Sequence, residues 1–257
     1  MHGWRKDDTF HGMKLIGPIL ILGMMAMGQP PPAGGRPRGP MGPEPLVVNA
    51  TEGFESIFDG TLKGWDGDPD FWRVEGGSIV GETTKDKPMK QNTFLIWRGG
   101  EPADFELKLD YKMNSTNSGF QYRSAVLPEV GKWVLKGYQA DFDFENRFTG
   151  LLYEERGRGF LAARGQVATI EDGKKARIIG NLKSNEDLRG AVNINGWNTV
   201  HVIARGNVLI HIFNGQLISA FVDDDTKNRA MKGLLGLQLH VGPPMRIEFK
   251  NIYLKKL

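Results

Sequence analysis

Residues 136–158 read KGYQADFDFENRFTGLLYEERGR. Between Gly137 and Phe144 the stretch alternates: Tyr138, Ala140, Phe142 and Phe144 fall on one side, Gln139, Asp141 and Asp143 on the other. Side chains on a strand alternate faces with period two. The segment is therefore expected to be a strand with an apolar inner face and an outer face bearing an amide and two carboxylates. After a turn region at Thr149-Gly150 come Tyr153, Glu154, Glu155, Arg156 and Arg158. Carboxylates, amides, arginines and an aromatic on one sheet face suit a sugar-binding groove. A solvated face is the plainer alternative, because antiparallel sheets commonly expose one polar side.

Outward from this stretch the same period recurs. Phe105–Met113 places Phe105, Leu107, Leu109, Tyr111 and Met113 on one face and Glu106, Lys108, Asp110 and Lys112 on the other. A turn cluster, Asn114–Gly119, follows. Phe120 to Arg123 then resumes the alternation, Phe120 and Tyr122 inward, Gln121 and Arg123 outward. Gly76-Gly77 and Asn214-Gly215 each sit between alternating runs, a strong hairpin signal. Gly236–His240 and Met245–Leu254 read as the last two strands, with Gln238 and His240 polar between Leu237 and Leu239. Residues 159–192 are expected to hold short strands and loops around the groove. No amphipathic helix of ten residues or more stands out, and no internal repeat has a fixed period. Short strands with glycine turns predict an all-β, two-sheet antiparallel sandwich.

The ends bound the rest. Lys14 precedes the apolar run 15–27, which closes on Ala26-Met27-Gly28, so residues 1–28 read as a secretory signal peptide, with Met13 a candidate true start. An uncleaved anchor is the alternative, although the run is shorter than the roughly 20 apolar residues of a span. Residues 29–45, QPPPAGGRPRGPMGPEP, read as a Pro/Gly-rich linker, and 46–257 as one domain. The expected location is exported, periplasmic or extracellular, with no membrane span in the mature chain. The absence of cysteine excludes disulfides, thiol catalysis and Cys-ligated metal. A charge of +3, from 33 basic and 30 acidic residues with no basic run, gives no nucleic-acid footprint.

The segments FESIFDGTLKGW, WRVEGGSIVGE, DFELKLDYKM with NSGFQYRS, GYQADFD, TGLLYEERGRG, WNTVHVIARGN with FNG, and GLLGLQLHVGPPMRIEFKNIYL run in order from about Phe54 to the C-terminus. Together they resemble the 3-keto-disaccharide hydrolase domain family. The resemblance implies a concanavalin A-like jelly roll of lectin/glucanase type, distantly related to family-16 glycoside hydrolases, and activity on 3-keto-glucosides.

Family-16 relatives carry Glu-x-Asp-x-Glu on one strand, the outer pair acting as nucleophile and acid/base. The matching stretch here is Gln139-x-Asp141-x-Asp143, and an amide cannot be a nucleophile. A 3-keto sugar allows another route: the carbonyl acidifies the C2 proton, a base removes it, the C1 substituent leaves by β-elimination, and hydration completes a net hydrolysis. This needs a base, an acid and donors for the enolate oxygen. Asp141 or Glu154 is the candidate base, Asp143 or Glu155 the acid. Arg123 and His240 are the candidate enolate donors, and Arg156 or Arg158 would hold hydroxyls. Gln121, Gln139, Gln238 and Tyr153 complete the expected substrate-binding set. His201 and His211 read as structural, Asp223-Asp224-Asp225 as a solvated turn rather than a calcium site, and Trp65, Trp72, Trp97 and Trp197 as packing residues. No cofactor is expected, though the sequence leaves a divalent metal open. Expected partners are a carbohydrate and an upstream sugar oxidoreductase. A non-catalytic carbohydrate-binding module and a lectin-like interaction domain are the competing readings. An acid-rich, aromatic-poor groove favours the enzyme.

Overall fold

The computed structural model describes residues 50–257; the signal peptide read over 1–28 and the linker over 29–45 lie outside the described residues. In chain order the strands are β1 (Glu55–Ser56), β2 (Trp65–Asp66), β3 (Trp72–Glu75), β4 (Ser78–Glu82), β5 (Thr93–Trp97), β6 (Phe105–Met113), β7 (Asn117–Val126) and β8 (Leu135–Asp143). There follow β9 (Leu152–Glu155), β10 (Gly159–Ala162), β11 (Gln166–Glu171) and β12 (Arg177–Asn181), then a one-turn helix, α1 (Asn185–Arg189). The chain closes with β13 (Asn198–Arg205), β14 (Val208–Phe213), β15 (Gln216–Asp224), β16 (Leu234–Leu239) and β17 (Arg246–Lys256).

These strands form the two-sheet sandwich that the alternation predicts. One sheet has the order β12-β11-β15-β14-β13-β6-β17-β4-β3, with β1 added on β17; the other is β10-β9-β8-β7-β16-β5-β2. The strands that frame the groove pair antiparallel, whereas β11 runs parallel to β15. The two glycine turns fall where the hairpin signal put them. Gly76, Gly77, Asn214 and Gly215 all have positive φ, which a two-residue turn between twisted strands requires.

The core fills the space between the sheets. Phe105, Leu107, Leu109 and Tyr111 of β6 are buried against Tyr138, Ala140 and Phe142 of β8. Tyr111 and Phe142 stack across the sandwich with centroids 4.0 Å apart and planes within 6°, a contact worth ~1 kcal/mol beyond the area it buries. Because this inner face of β8 is locked in the core, its alternate residues must point outward. A one-residue slip would put Asp141 among the aromatics.

Two sequence expectations need correcting here. Of the region 159–192, only β10 reaches the sheet that carries the groove; β11 and β12 extend the opposite sheet, where β12 leaves Ile178 and Ile179 exposed. The parallel pairing of β11 with the distant β15 leaves no hairpin signature. Trp197 is only half-buried, and the ammonium of Lys250 lies 4.0 Å from its ring centroid, so a cation rather than core covers it.

Candidate functional site

The outer face of β8 sets the site. Gln139, Asp141 and Asp143 stand in a row; Asn117 and Gly119 of β7 lie opposite Asp143 and Asp141, and Tyr153 of β9 lies opposite Gln139. Gln238 on β16 and His240 just beyond it, Glu155 at the end of β9, Phe160 on β10, and Arg147 with Phe148 from the β8–β9 turn complete a groove of about 280 Å³. A cavity of similar volume on the outer face of the ten-stranded sheet is lined by residues such as Ile203, Ile210 and Leu217 and contains no carboxylate. Chemistry, not volume, singles out the groove.

Asp141 is buried on the groove floor. Burial is the main cause that pushes its carboxyl up to about 7; the hydrogen bond from Gln139 opposes this, and the nearby Glu155 and Asp143 charges add to it. The donating atom, Gln139 Nε2, lies 2.5 Å from Asp141 Oδ1. Glu155 is also raised, again chiefly by burial, with Arg156, His240 and a hydrogen bond to Asn92 pulling the other way. Asp143 is engaged differently. Its Oδ2 accepts the backbone N–H groups of Arg147 and Phe148 at 2.7 and 3.2 Å, which holds the β8–β9 turn. His240 Nδ1 lies 2.5 Å from the carbonyl of Val241; a carbonyl only accepts, so the proton is on Nδ1 and Nε2 is left for the groove.

The amides on this face are poorly satisfied. Gln139 Nε2 also reaches Gln238 Oε1 at 3.5 Å, yet Gln139 Oε1, Gln238 Nε2 and Asp143 Oδ1 are buried with no partner among the described residues. Buried polar atoms without partners are rare in proteins, and a cluster of them in a groove marks where a polar ligand or ordered water completes the set.

The structure brings together Asp141, Asp143, Glu155, His240, Gln139, Gln238 and Tyr153, and places the other expected site residues elsewhere. Arg123 is not in the groove. A register shift between Tyr122 and Ala125 and a φ of 47° at Arg123 reverse its face. Its buried guanidinium bonds the carbonyls of Ala103 and Gly206 and the carboxylate of Asp104. Glu154 falls on the inner face of β9, since period two puts Tyr153 and Glu155 outward. It accepts from Arg158 Nε at 2.5 Å. Arg158 itself turns in, donating to Asp223 and Asp225 as well as Glu154. Asp223 and Asp225 are buried, so the acidic turn is not solvated; only Asp224 is exposed. Arg156 sits beyond the groove beside Lys136, 3.9 Å from Glu155. Gln121 has the expected face but is fully buried: opposite it, Gly236 lies under the Leu135 side chain.

Four groove residues were missed by the sequence reading: Asn117, Arg147, Phe148 and Phe160. Phe160 packs edge-on to Tyr153 at 5.3 Å and lies 6.1 Å from Phe148, giving the groove an aromatic rim. The expected aromatic-poor lining is therefore corrected. Phe148 and Phe160 are 42% and 64% exposed, an exposure that tertiary packing decides and no local pattern announces. His201, hydrogen-bonded to Glu106, and His211, buried against the Tyr122 hydroxyl, hold structure as expected. Among the described residues no group of three or more His, Asp or Glu side chains is arranged to hold a metal ion.

The fold has solved counterparts. A candidate glycosyl hydrolase from Parabacteroides distasonis superposes with a TM-score of 0.54 at 18% identity, covering 79% of this chain and 99% of its own. A second from the same organism gives 0.52 at 22%, covering 80% and 94%. A Bacillus subtilis protein of unknown function with a galectin-like fold gives 0.50 at 14%, covering 76% and 90%. These likenesses establish the jelly-roll sandwich and no more. No curated protein sequence matches the chain. The model of the 3-keto-alpha-glucoside-1,2-lyase-like domain matches residues 53–255, most of the chain, and this protein belongs to that family.

Proposed function

We propose that this protein cleaves 3-keto-glycosides by elimination and hydration, with Asp141 as the base. The supporting observation is the position of Asp141: a buried carboxyl on the groove floor, with its pKa held at about 7 and its orientation fixed by Gln139. A base is most effective when its pKa lies near the working pH. Asp141 takes the C2 proton; the C–H electron pair forms the C2=C3 bond and the carbonyl π pair moves onto O3. As the C3 carbonyl re-forms, the C1–O bond breaks and the departing oxygen takes a proton from Glu155, leaving an enone across C1 and C2. Water then adds to C1, losing one proton to Glu155, while Asp141 returns its proton to C2. Glu155 serves as the acid because Asp143 is committed to the β8–β9 turn. The ketone must be supplied by an oxidoreductase acting on a C3 hydroxyl, and the leader read over residues 1–28 would place the reaction outside the cytoplasm.

The aromatic rim supports a second reading, a carbohydrate-binding module, since exposed rings stack on sugar faces. Asp141→Asn separates the two. The enzyme reading expects aglycone release from a 3-keto-glucoside to fall by about 100- to 10,000-fold with binding retained. Full turnover by the variant would remove Asp141 from the mechanism.

A further inference from the structure

Of the two residues expected to serve the enolate oxygen, Arg123 is turned into the protein and His240 gives its Nδ1 proton to the Val241 carbonyl. We propose that Gln238 Nε2 is the enolate donor, and that Gln139 acts as a positioning residue between it and Asp141; this rests on the elimination reading above. Gln238 lines the groove, and its Nε2 is buried without a partner among the described residues. Its Oε1 is occupied by Gln139, whose single Nε2 group reaches both Gln238 Oε1 at 3.5 Å and Asp141 Oδ1 at 2.5 Å. A donor held on Oε1 orients the amide plane, so the free N–H of Gln238 points away from Gln139. Base and donor are thus held two hydrogen bonds apart, on neighbouring parts of one site, as removal of a proton beside a carbonyl requires.

The backbone is shaped for this link. Gln139 is on β8 and Gln238 on β16, with β7 between them. The amides meet because Gly119 of β7 has no side chain: a Cβ there would stand 2.6 Å from Gln139 Cγ, 2.7 Å from its Cδ and 2.9 Å from the Ala140 carbonyl oxygen. Gly119 has no positive φ, so space rather than backbone conformation accounts for the glycine.

The strap 127–134 closes the side nearest β5. Trp133 accepts from the Phe94 N–H at the far edge of the sheet, Gln91 Nε2 donates to the Val130 carbonyl, and Leu135 seals against Phe94 and Ile96. On that side the amides are therefore covered, and a preorganised donor there stabilises developing charge more than it would in water.

Gln238→Glu keeps the shape and removes the donor; Gln238→Leu removes both polar atoms; Gly119→Ala crowds Gln139 and the Ala140 carbonyl. All are assayed in the full chain on a 3-keto-glucoside in heavy water. Aglycone release is followed together with deuterium entry at C2 of 3-keto-glucose, which has no leaving group beyond its own hydroxyl. Both Gln238 variants should lose about 100-fold or more in kcat and in C2 exchange, with KM little changed and thermal unfolding within a few degrees of the parent. Gly119→Ala should lose C2 exchange as well. If the parent protein exchanges C2 and both Gln238 variants keep their exchange rates, the donor assignment is wrong and the elimination reading stands. If the parent itself neither exchanges C2 nor releases aglycone, the elimination reading fails and the donor role falls with it.

Discussion

The side-chain amide of Gln139 donates to Asp141 Oδ1 across 2.5 Å, on the same strand and the same face, two residues apart. That hydrogen bond favours the charged carboxylate, while burial and the neighbouring carboxylates disfavour it. The balance leaves Asp141 half-ionised near neutrality. Because the base must be ionised to act, kcat/KM should rise with pH through a limb centred near 7. Gln139→Leu removes the one interaction that lowers the value, so the limb should move to higher pH. A profile that stays fixed in this variant would show that another group titrates.

Asp141 should also cost the fold stability, with a definite sign. Below its ordinary value of 3.8 the carboxyl is protonated in both folded and unfolded chains. Between 3.8 and about 7 the unfolded chain releases the proton and the folded chain keeps it, so stability declines as pH rises. The full difference is worth at most ~4 kcal/mol above pH 7. Asp141→Asn should accordingly match the parent near pH 4 and unfold at a higher temperature than it near pH 8. Melting curves across that range give the answer.

Arg158 holds the sandwich together at one end. Its guanidinium lies 2.6 Å from Asp223 of the opposite sheet and also engages Glu154 and Asp225. Arg158→Met leaves three largely buried carboxylates without their cation, which should destabilise the protein by ~3–5 kcal/mol in urea unfolding. The folded fraction should keep its turnover, because none of these groups faces the groove.

The aromatic rim should act on binding alone. Phe160 is 64% exposed and contributes little to the core. Phe160→Ala should weaken sugar binding by roughly 3- to 10-fold, the value of one stacking contact of about 1 kcal/mol. Its melting temperature should not change. Titration calorimetry with an inactive Asp141→Asn background isolates the effect.

Much of this was legible in the sequence. The alternation from Tyr138 to Asp143 gave the strand, its inner face and the polar row, and the same period in β6 and the glycine turns gave the sandwich. What period two could not reveal is where it breaks. One residue of positive φ at Arg123 inverts that side chain, and arginine carries no local signal for such a bulge. Glu154 and Glu155 are equally acidic in sequence; only the pairing of β9 with β8 separates an inward ion pair from a groove acid. Two of the three carboxylate partners of Arg158, Asp223 and Asp225, lie 65 and 67 residues away, beyond the reach of any local pattern. Phe148 and Phe160 belong to a turn and a short edge strand, where exposure is decided by tertiary packing.

The most direct test of the central claim pairs two substrates. The full-length protein is incubated with a 3-keto-glucoside and, separately, with its unoxidised parent glucoside, and aglycone release is followed. Elimination depends on the ketone, so release from the keto sugar alone is the predicted result. Release from both at comparable rates would contradict the account and point to ordinary glycoside hydrolysis. Binding of either sugar without release would contradict it as well, leaving the groove a carbohydrate-binding surface.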